Sequence, residues 1–141
     1  MKFALTRWAR AAFLTAGALA AGATLRAAGD DAGAQVKPVL AEKLPNVPGK
    51  SMTAVVVTYA PGAKSGKHHH AGSVFAYVLS GAIRSESSAT GPAKVYKAGE
   101  GFFEPPGSEH LVSENASLTE PASLLAVFVA DDGAQLTTFD K

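Results

Sequence analysis

The amino-acid sequence predicts an all-β sandwich or small barrel. Short segments rich in β-branched and aromatic residues recur roughly every ten residues along the chain. Glycine and proline stand between these segments, and no stretch beyond residue 35 has a helical periodicity. With 141 residues, the chain is long enough for one domain.

Residues 1–28 have the pattern of a secretory signal peptide. Lys2, Arg7 and Arg10 precede an uncharged apolar run at 11–25, and small residues that suit a signal peptidase follow it. The run is shorter than the about 20 apolar residues that a membrane-spanning helix needs. We therefore expect cleavage and a periplasmic or secreted protein without membrane contact; a retained N-terminal anchor is the alternative.

The remaining chain is expected to consist of a linker at 29–35 and a domain at 36–141. Four of the 13 basic residues and none of the 12 acidic residues lie in 1–28, so the rest carries 9 basic and 12 acidic groups, a net charge of −3. This balance argues against a nucleic-acid partner, which requires clustered Lys and Arg. The absence of cysteine excludes disulfides, a thiolate nucleophile and sulfur ligation of a metal.

Strand candidates alternate with turn signals along this domain. Residues 51–59 contain many β-branched side chains, and residues 122–130 form the most apolar candidate. The other candidates are 74–79, 82–86, 93–97, 101–104, 110–113 and 136–139. Ser80-Gly81 favours a hairpin turn between two of these strands. Phe75 and Tyr77 are expected in the core or along a substrate pocket.

All four histidines of the chain lie in two short segments. His68, His69 and His70 are consecutive, and His110 closes the segment Pro-Pro-Gly-Ser-Glu-His. On an extended strand, His68 and His70 share one face and His69 points away from it. Neutral imidazole is the commonest protein ligand for divalent transition metals. The pattern therefore predicts a mononuclear metal site that the fold completes with His110.

At these residues, over roughly 55–130, the chain resembles the cupin superfamily, whose motifs are G-x5-H-x-H-x3,4-E-x6-G and G-x5-P-x-G-x2-H-x3-N. The first motif is matched at Gly62, His68, His70 and Gly81, and the second at Gly99, Pro105, Gly107 and His110. The resemblance implies a small double-stranded β-helix, or jelly-roll, barrel. It also implies that His68, His70 and His110 hold one divalent transition metal: Fe, Mn, Zn, Ni or Cu.

The chain departs from these motifs at two positions. The glutamate ligand of the first motif falls on Val74, and the only other permitted position, Phe75, also lacks an oxygen. The final asparagine position holds Glu114, with Asn115 one residue later. Cupins with three histidines and no carboxylate include iron-dependent dioxygenases, so the resemblance implies that such a site can still be catalytic.

Glu104 is a candidate replacement for the missing carboxylate. Pro105 favours an extended backbone at Glu104, which then shares a face with Phe102, opposite to Phe103. If that face lines the barrel, Glu104 would lie near the metal as a ligand or general base. The alternative is a solvent-facing glutamate at a strand end.

The leading functional hypothesis is a metal-dependent enzyme of the dioxygenase type that acts on a small molecule. A non-redox isomerase or lyase would use the same metal as a Lewis acid, with Glu104 as the base. A non-catalytic periplasmic module that holds a metal or ligand is the alternative from another class. A domain this small without disulfides can also gain stability from the metal or from a homodimer partner.

Overall fold

A computed structural model of the chain describes residues 33–141, which form two antiparallel β-sheets packed face to face. The predicted signal peptide at 1–28 and the linker residues 29–32 lie outside the described residues. The described range contains no helix, and hence none long and apolar enough to cross a membrane. This architecture confirms the all-β class and the jelly-roll arrangement that the sequence predicts.

Eleven strands make up the two sheets. In chain order they are β1 (Ala34–Lys43), β2 (Lys50–Tyr59), β3 (Lys64–Ser65), β4 (His68–His70), β5 (Ser73–Ser80), β6 (Ala82–Ser87), β7 (Gly91–Lys97), β8 (Gly101–Glu104), β9 (Glu109–Asn115), β10 (Ala122–Asp131) and β11 (Thr137–Phe139). One sheet has five strands in the order β1-β2-β10-β5-β8, and the other has six, in the order β11-β4-β9-β6-β7 with β3 beside β9.

Two features of the connections differ from the sequence-based expectation. β1 begins at Ala34, which pairs with Tyr59, so the first strand starts inside the segment expected to be a linker. The hairpin predicted at Ser80-Gly81 is wrong, because β5 pairs with β10 and β8 whereas β6 pairs with β7 and β9. Gly81 instead carries the chain from one sheet to the other.

Gly81 is suited to this crossing because it has no side chain. Its φ of 67° lies in the left-handed region that favours glycine. A Cβ at this position would also lie 2.7 Å from the carbonyl oxygen of Pro121. The local sequence thus encodes a sharp change of direction, but the pairing of distant strands decides that it is not a hairpin.

The core between the sheets is apolar on one side and polar on the other. From the five-stranded sheet, β5 and β10 bury alternate residues, among them Val74, Ala76, Val78, Leu124, Ala126 and Phe128. The six-stranded sheet adds Ile83 but otherwise buries polar side chains, namely His68, His70, Ser85, Ser87, His110, Ser113 and Asn115. This asymmetry places every buried histidine of the described chain on one sheet.

Candidate metal centre

Three buried histidines converge on the inner face of the six-stranded sheet. His68 and His70 lie on β4 and are each 6% exposed, while His110 on β9 is 4% exposed and pairs directly with His68. His69 faces outward with a half-exposed side chain, 3.5 Å from Asp140. The alternation predicted for this strand is therefore confirmed, and the fold brings the distant His110 to the other two.

The histidine rings are close enough to share one ion. One nitrogen from each of His68, His70 and His110 can be chosen so that all three lie within 4.8 Å of one another. The ring of His68 is 4.8 Å from that of His70 and 4.9 Å from that of His110, measured between centroids. This group can hold a metal ion, as the sequence predicts.

Backbone carbonyls orient the two histidines of β4. Nδ1–H of His68 donates to the carbonyl oxygen of Gly66 at 2.7 Å. Nδ1 of His70 lies 3.1 Å from both the carbonyl oxygen of Leu136 and the hydroxyl of Thr137. A proton held on Nδ1 makes Nε2 the lone-pair nitrogen, which is the usual outer support of a metal-binding imidazole.

The ring of His110 is supported through Nε2, whereas His68 and His70 are supported through Nδ1. Its Nε2 lies 2.9 Å from the hydroxyl oxygen of Ser85, which is buried on the neighbouring strand β6. Its Nδ1 faces Oε2 of Glu104 at 3.1 Å. Ser85 therefore fixes the ring so that Nδ1 is directed into the site.

Glu104 lies opposite the histidines, on the inner face of the five-stranded sheet. It is 2% exposed, whereas Phe103 beside it is 51% exposed, so the inward orientation predicted for Glu104 is observed. Besides its contact with His110, Oε2 lies 4.0 Å from Nε2 of His70. The carboxylate thus joins the histidine group from the facing sheet.

The position of Glu104 accounts for the missing glutamate of the first motif. That motif position is Val74 on β5, and Val74 pairs directly with Glu104 on β8. Val74 and Glu104 are both buried and therefore face the same interior. Glu104 therefore supplies a carboxylate from the neighbouring strand, directly beside the position where the motif has its glutamate.

Two buried atoms at the centre of this group have no hydrogen-bond partner. They are Oε2 of Glu104 and Nδ1 of His110, which are near each other but do not form a hydrogen bond of acceptable geometry. An unpartnered buried carboxylate oxygen is costly unless a cation compensates it. A set of three imidazoles and one carboxylate matches the ligands that divalent transition metals prefer, so these residues fit a metal ion.

The protonation states also suit metal binding. Burial lowers the pKa of His70 to about 4, although the charge of Glu104 opposes this shift. Burial raises the pKa of Glu104, but His110, His70 and His68 together outweigh it and hold that pKa below its usual value. At neutral pH, His70 is therefore a neutral ligand and Glu104 a carboxylate.

Aromatic rings surround the site and limit the access of water. Phe128 packs on His70 with ring centroids 5.2 Å apart, and Phe139 packs on His68 at 5.3 Å. Phe102 contacts His110 from the same strand as Glu104, with centroids 6.1 Å apart. Electrostatic interactions inside such a site are stronger than in water.

The second motif departure has a structural explanation. Asn115 is buried, and its amide nitrogen donates to the carbonyl oxygens of Ala60 and Glu120 at 3.1 and 2.8 Å. Glu114 faces outward and pairs with Arg84 at 3.0 Å. The asparagine next to the motif position therefore holds two loops together.

Sequence reasoning missed the groups that support the histidines. Ser85, Thr137 and the carbonyls of Gly66 and Leu136 carry no motif, and they meet the rings only through strand pairing. The sequence also did not predict a cavity of about 260 Å³. This cavity lies between the ends of β1, β2 and β10, and none of the four site residues lines it.

Comparisons with known proteins agree with this architecture. The family model named Cupin domain matches residues 55–128. An uncharacterized conserved protein with a double-stranded β-helix domain from Klebsiella pneumoniae superposes with a TM-score of 0.61 at 23% identity, over 79% of this chain and 87% of that chain. A cupin-like protein from Thermotoga maritima gives 0.59 at 20% identity, over 76% and 75% of the two chains.

Oxalate decarboxylase from Bacillus subtilis, in a variant form, is also similar. It gives a TM-score of 0.58 at 26% identity over 76% of this chain. The present chain spans only 28% of that enzyme. No curated protein matches the sequence. The family match, the jelly-roll sheets and the converging histidines together show that the chain belongs to the cupin family.

Proposed function

We propose that this protein is an exported, metal-dependent enzyme that acts on a small anionic molecule. His68, His70 and His110 bind the metal, and Glu104 serves as a fourth ligand or as a general base. The observation that carries this proposal is the buried, unpartnered carboxylate oxygen of Glu104, which faces the histidine nitrogens.

The chemistry of the donors defines the kind of reaction. A divalent transition metal, when bound, acts as a Lewis acid toward an oxygen of the substrate. Three neutral imidazoles and one carboxylate leave the centre with a net positive charge, which favours an anionic ligand. The similarity to oxalate decarboxylase supports a small organic acid as the substrate class.

Glu104 is suited to accept a proton rather than to donate one. Its pKa lies below the usual value, so the side chain is ionised at neutral pH. The side chain of Glu104 is only 2% exposed, which limits the water that can compete for the carboxylate. The position of Glu104 opposite the histidines supports a non-redox reaction, such as that of a lyase or isomerase, in which Glu104 removes a proton from the bound substrate.

Dioxygenase-type chemistry stays a prediction from the sequence and is the second candidate. Its basis was a centre of three histidines without a carboxylate, and Glu104 within 4.0 Å of His70 weakens that basis. The three imidazoles still suit a redox-active iron centre. Oxygen uptake by the iron-loaded protein, measured with small carboxylates and enolisable acids, separates the two candidates.

The decisive experiment compares Glu104→Gln with Glu109→Gln, which makes the same change at an exposed glutamate next to His110. Each protein is loaded with Fe, Mn, Zn, Ni or Cu, and metal affinity and turnover of small organic acids are measured. We expect Glu104→Gln to lower turnover by about 10²–10⁴-fold if Glu104 is a base. If Glu104 is a ligand, metal affinity should fall by about 10–100-fold.

The Glu109→Gln variant should match the unmodified protein in both measurements. Equal affinity and equal turnover in both variants would contradict a role for Glu104. Full metal binding with tight substrate binding but no turnover, across all five metals, would instead favour the non-catalytic binding module.

Export is part of the same proposal and rests on residues 1–28. Their basic start, apolar run and small residues support a periplasmic or secreted location without membrane contact after cleavage. Cell fractionation, together with mass spectrometry of the N-terminus, tests it. A cytoplasmic protein that retains residue 2 would contradict it.

A further inference from the structure

The outer face of the five-stranded sheet exposes a continuous set of large apolar side chains, which we name the apolar face. Its most exposed members are Leu40, Phe75, Tyr77, Leu79, Phe103 and Val129. On β5, Phe75 is 49% exposed and Tyr77 39%, and Phe103 on the edge strand β8 is 51% exposed. These residues alternate with the buried core residues of the same strands.

Strand pairing makes this set continuous. One row crosses all five strands: Leu40, Ala54, Val127, Phe75 and Phe103 are neighbours in that order. A parallel row places Val56, Leu125 and Tyr77 side by side on the three central strands. With strands about 4.8 Å apart, the face is about 19 Å wide.

We propose that the apolar face is the contact surface between two copies of this chain in a two-fold symmetric dimer. A flat sheet face can meet its own copy about a two-fold axis, since the same residues then lie on both sides of the contact. The two apolar faces would pack against each other as the inner faces of a β-sandwich do.

The area of the face agrees with a second copy as its occupant. Taking about 150–250 Å² for a whole aromatic side chain, Phe75, Tyr77 and Phe103 expose about 300 Å² together. The exposed aliphatic side chains bring this to about 500 Å², near the upper end for a single patch on a monomer. With a polar rim, the face approaches the about 800 Å² that each partner gives to a standard interface.

The charges at the edge of the face are also compatible with self-association. The rows on β2, β10, β5 and β8 described above contain no charged residue. Lys37 and Glu42 lie on the outer side of the edge strand β1, paired with Val56 and Met52. Lys50 and Asp131 form an ion pair at the ends of β2 and β10 on the same side, so the rim carries two basic and two acidic residues. This balance allows two identical copies to meet without like charges facing each other.

The interface would lie directly behind the metal centre. Phe103 and Glu104 are consecutive on β8, and Phe75 follows Val74 on β5. β8 has four residues and forms the edge of its sheet, so it pairs along one side only. A second copy packed on Phe103 would hold this short strand, and hence Glu104, against the histidines.

The experiment measures the mass of the protein in solution as a function of concentration. The chain is expressed with export so that residues 1–28 can be removed, and the mature protein is purified. Sedimentation equilibrium is recorded for the unmodified protein, Phe75→Glu and Val95→Glu. Val95 is 43% exposed on the six-stranded sheet, so Val95→Glu makes a similar change at similar exposure away from the apolar face. Circular dichroism and metal content confirm that each variant is folded.

We expect a dimer for the unmodified protein and for Val95→Glu. For Phe75→Glu, we expect at least about a 30-fold weaker association, since a central aromatic residue contributes strongly to an interface. A monomer at 100 μM or more, or a dimer that Phe75→Glu leaves unchanged, would overturn the proposal. Binding of the monomer to lipid vesicles, or coverage of the face by residues 1–32, would also overturn it.

A second variant keeps the test valid if Phe75→Glu fails to fold. The chain contains no cysteine, so Tyr77→Cys introduces a single thiol at a part-exposed position of the face. The proposal expects oxidation to cross-link Tyr77→Cys into a covalent dimer at least about 10-fold faster than Leu118→Cys, an exposed loop control. Equal rates for the two variants would contradict it.

Discussion

The two sheets of this protein differ in the side chains of both their faces. The six-stranded sheet is polar inside, where His68, His70 and His110 converge, and charged outside, where Arg84 pairs with Glu114. The five-stranded sheet is mostly apolar on both faces, with its outward charges near its edges, and Glu104 is the only charged side chain that it buries within the described residues. One sheet therefore supplies the metal-binding nitrogens, and the other seals them from water and adds a single carboxylate.

The site depends on the packing of the two sheets against each other. His68, His70 and His110 meet within one sheet through strand pairing alone. Glu104 reaches them only because its sheet packs on theirs, with Phe128 between the layers in contact with His70. Changes that separate the sheets should therefore affect Glu104 and the enclosure of the site more than the histidine group itself.

The largest expected effect is the loss of a metal ligand from the six-stranded sheet. His68→Ala, His70→Ala and His110→Ala should each remove most bound metal, with affinity lowered by about 10³-fold. His69→Ala should keep the metal, because its ring faces outward near Asp140. Elemental analysis after dialysis checks this, and equal metal content in all four variants would contradict the assignment.

The next largest expected effect is the loss of stability when the packing between the two sheets is weakened. Phe128→Ala removes a buried ring that packs on His70, and should lower the free energy of unfolding by about 3 kcal/mol. Leu118→Ala, at a highly exposed loop position, should change it by less than about 0.5 kcal/mol. Urea denaturation measures both, and similar values for the two variants would show that Phe128 does not join the layers.

The metal-free protein should lose stability in mild acid. The unfolded chain binds a proton at His70 near pH 6.5, but burial keeps the folded state neutral down to about pH 4, so stability falls as the pH decreases. Between pH 7 and pH 5 this amounts to about 2 kcal/mol. Glu104 acts in the same direction at lower pH, because its carboxylate form is favoured in the folded state.

Urea denaturation of the metal-free protein at pH 7 and pH 5 tests this expectation. The same measurement on His70→Gln provides the control, because that variant cannot take up the proton. A pH dependence as steep in His70→Gln as in the unmodified protein would show that His70 is not responsible.

The smallest expected effect concerns the support of His110. Ser85→Ala removes the hydroxyl group that lies 2.9 Å from Nε2, and should weaken metal binding by about 10-fold. Ser80→Ala, on an exposed serine at the end of β5, should have no effect on affinity. If titration with Zn²⁺ gives the same affinity for both variants, Ser85 does not position the ring.

Local patterns in the sequence were sufficient for much of this structure. Alternation along an extended strand correctly placed His68 and His70 inside and His69 outside, and placed Glu104 opposite to Phe103. The cupin motifs correctly predicted that His110 lies beside the other histidines. Glycine and proline in the turns correctly predicted most strand ends. These features depend on neighbours in the chain, which a single sequence displays directly.

Features that depend on the pairing of distant strands could not be predicted from local patterns in the sequence. The pairing of Val74 with Glu104, which explains the missing glutamate, joins residues on separate strands. Phe75 and Tyr77 were expected in the core or a pocket but lie on the outer face, because the strand is apolar on both sides and gives no alternation to follow. The expected hairpin at Ser80-Gly81 failed for the same reason, since each flanking strand pairs elsewhere.

The most direct test of a centre shared by both sheets is anomalous X-ray diffraction from crystals of the metal-loaded protein. We predict one ion per chain, bound by nitrogens of His68, His70 and His110, with Glu104 in direct contact with it or one water molecule away. An ion at another position, or no ion between these four side chains in crystals of protein saturated with metal, would contradict this account.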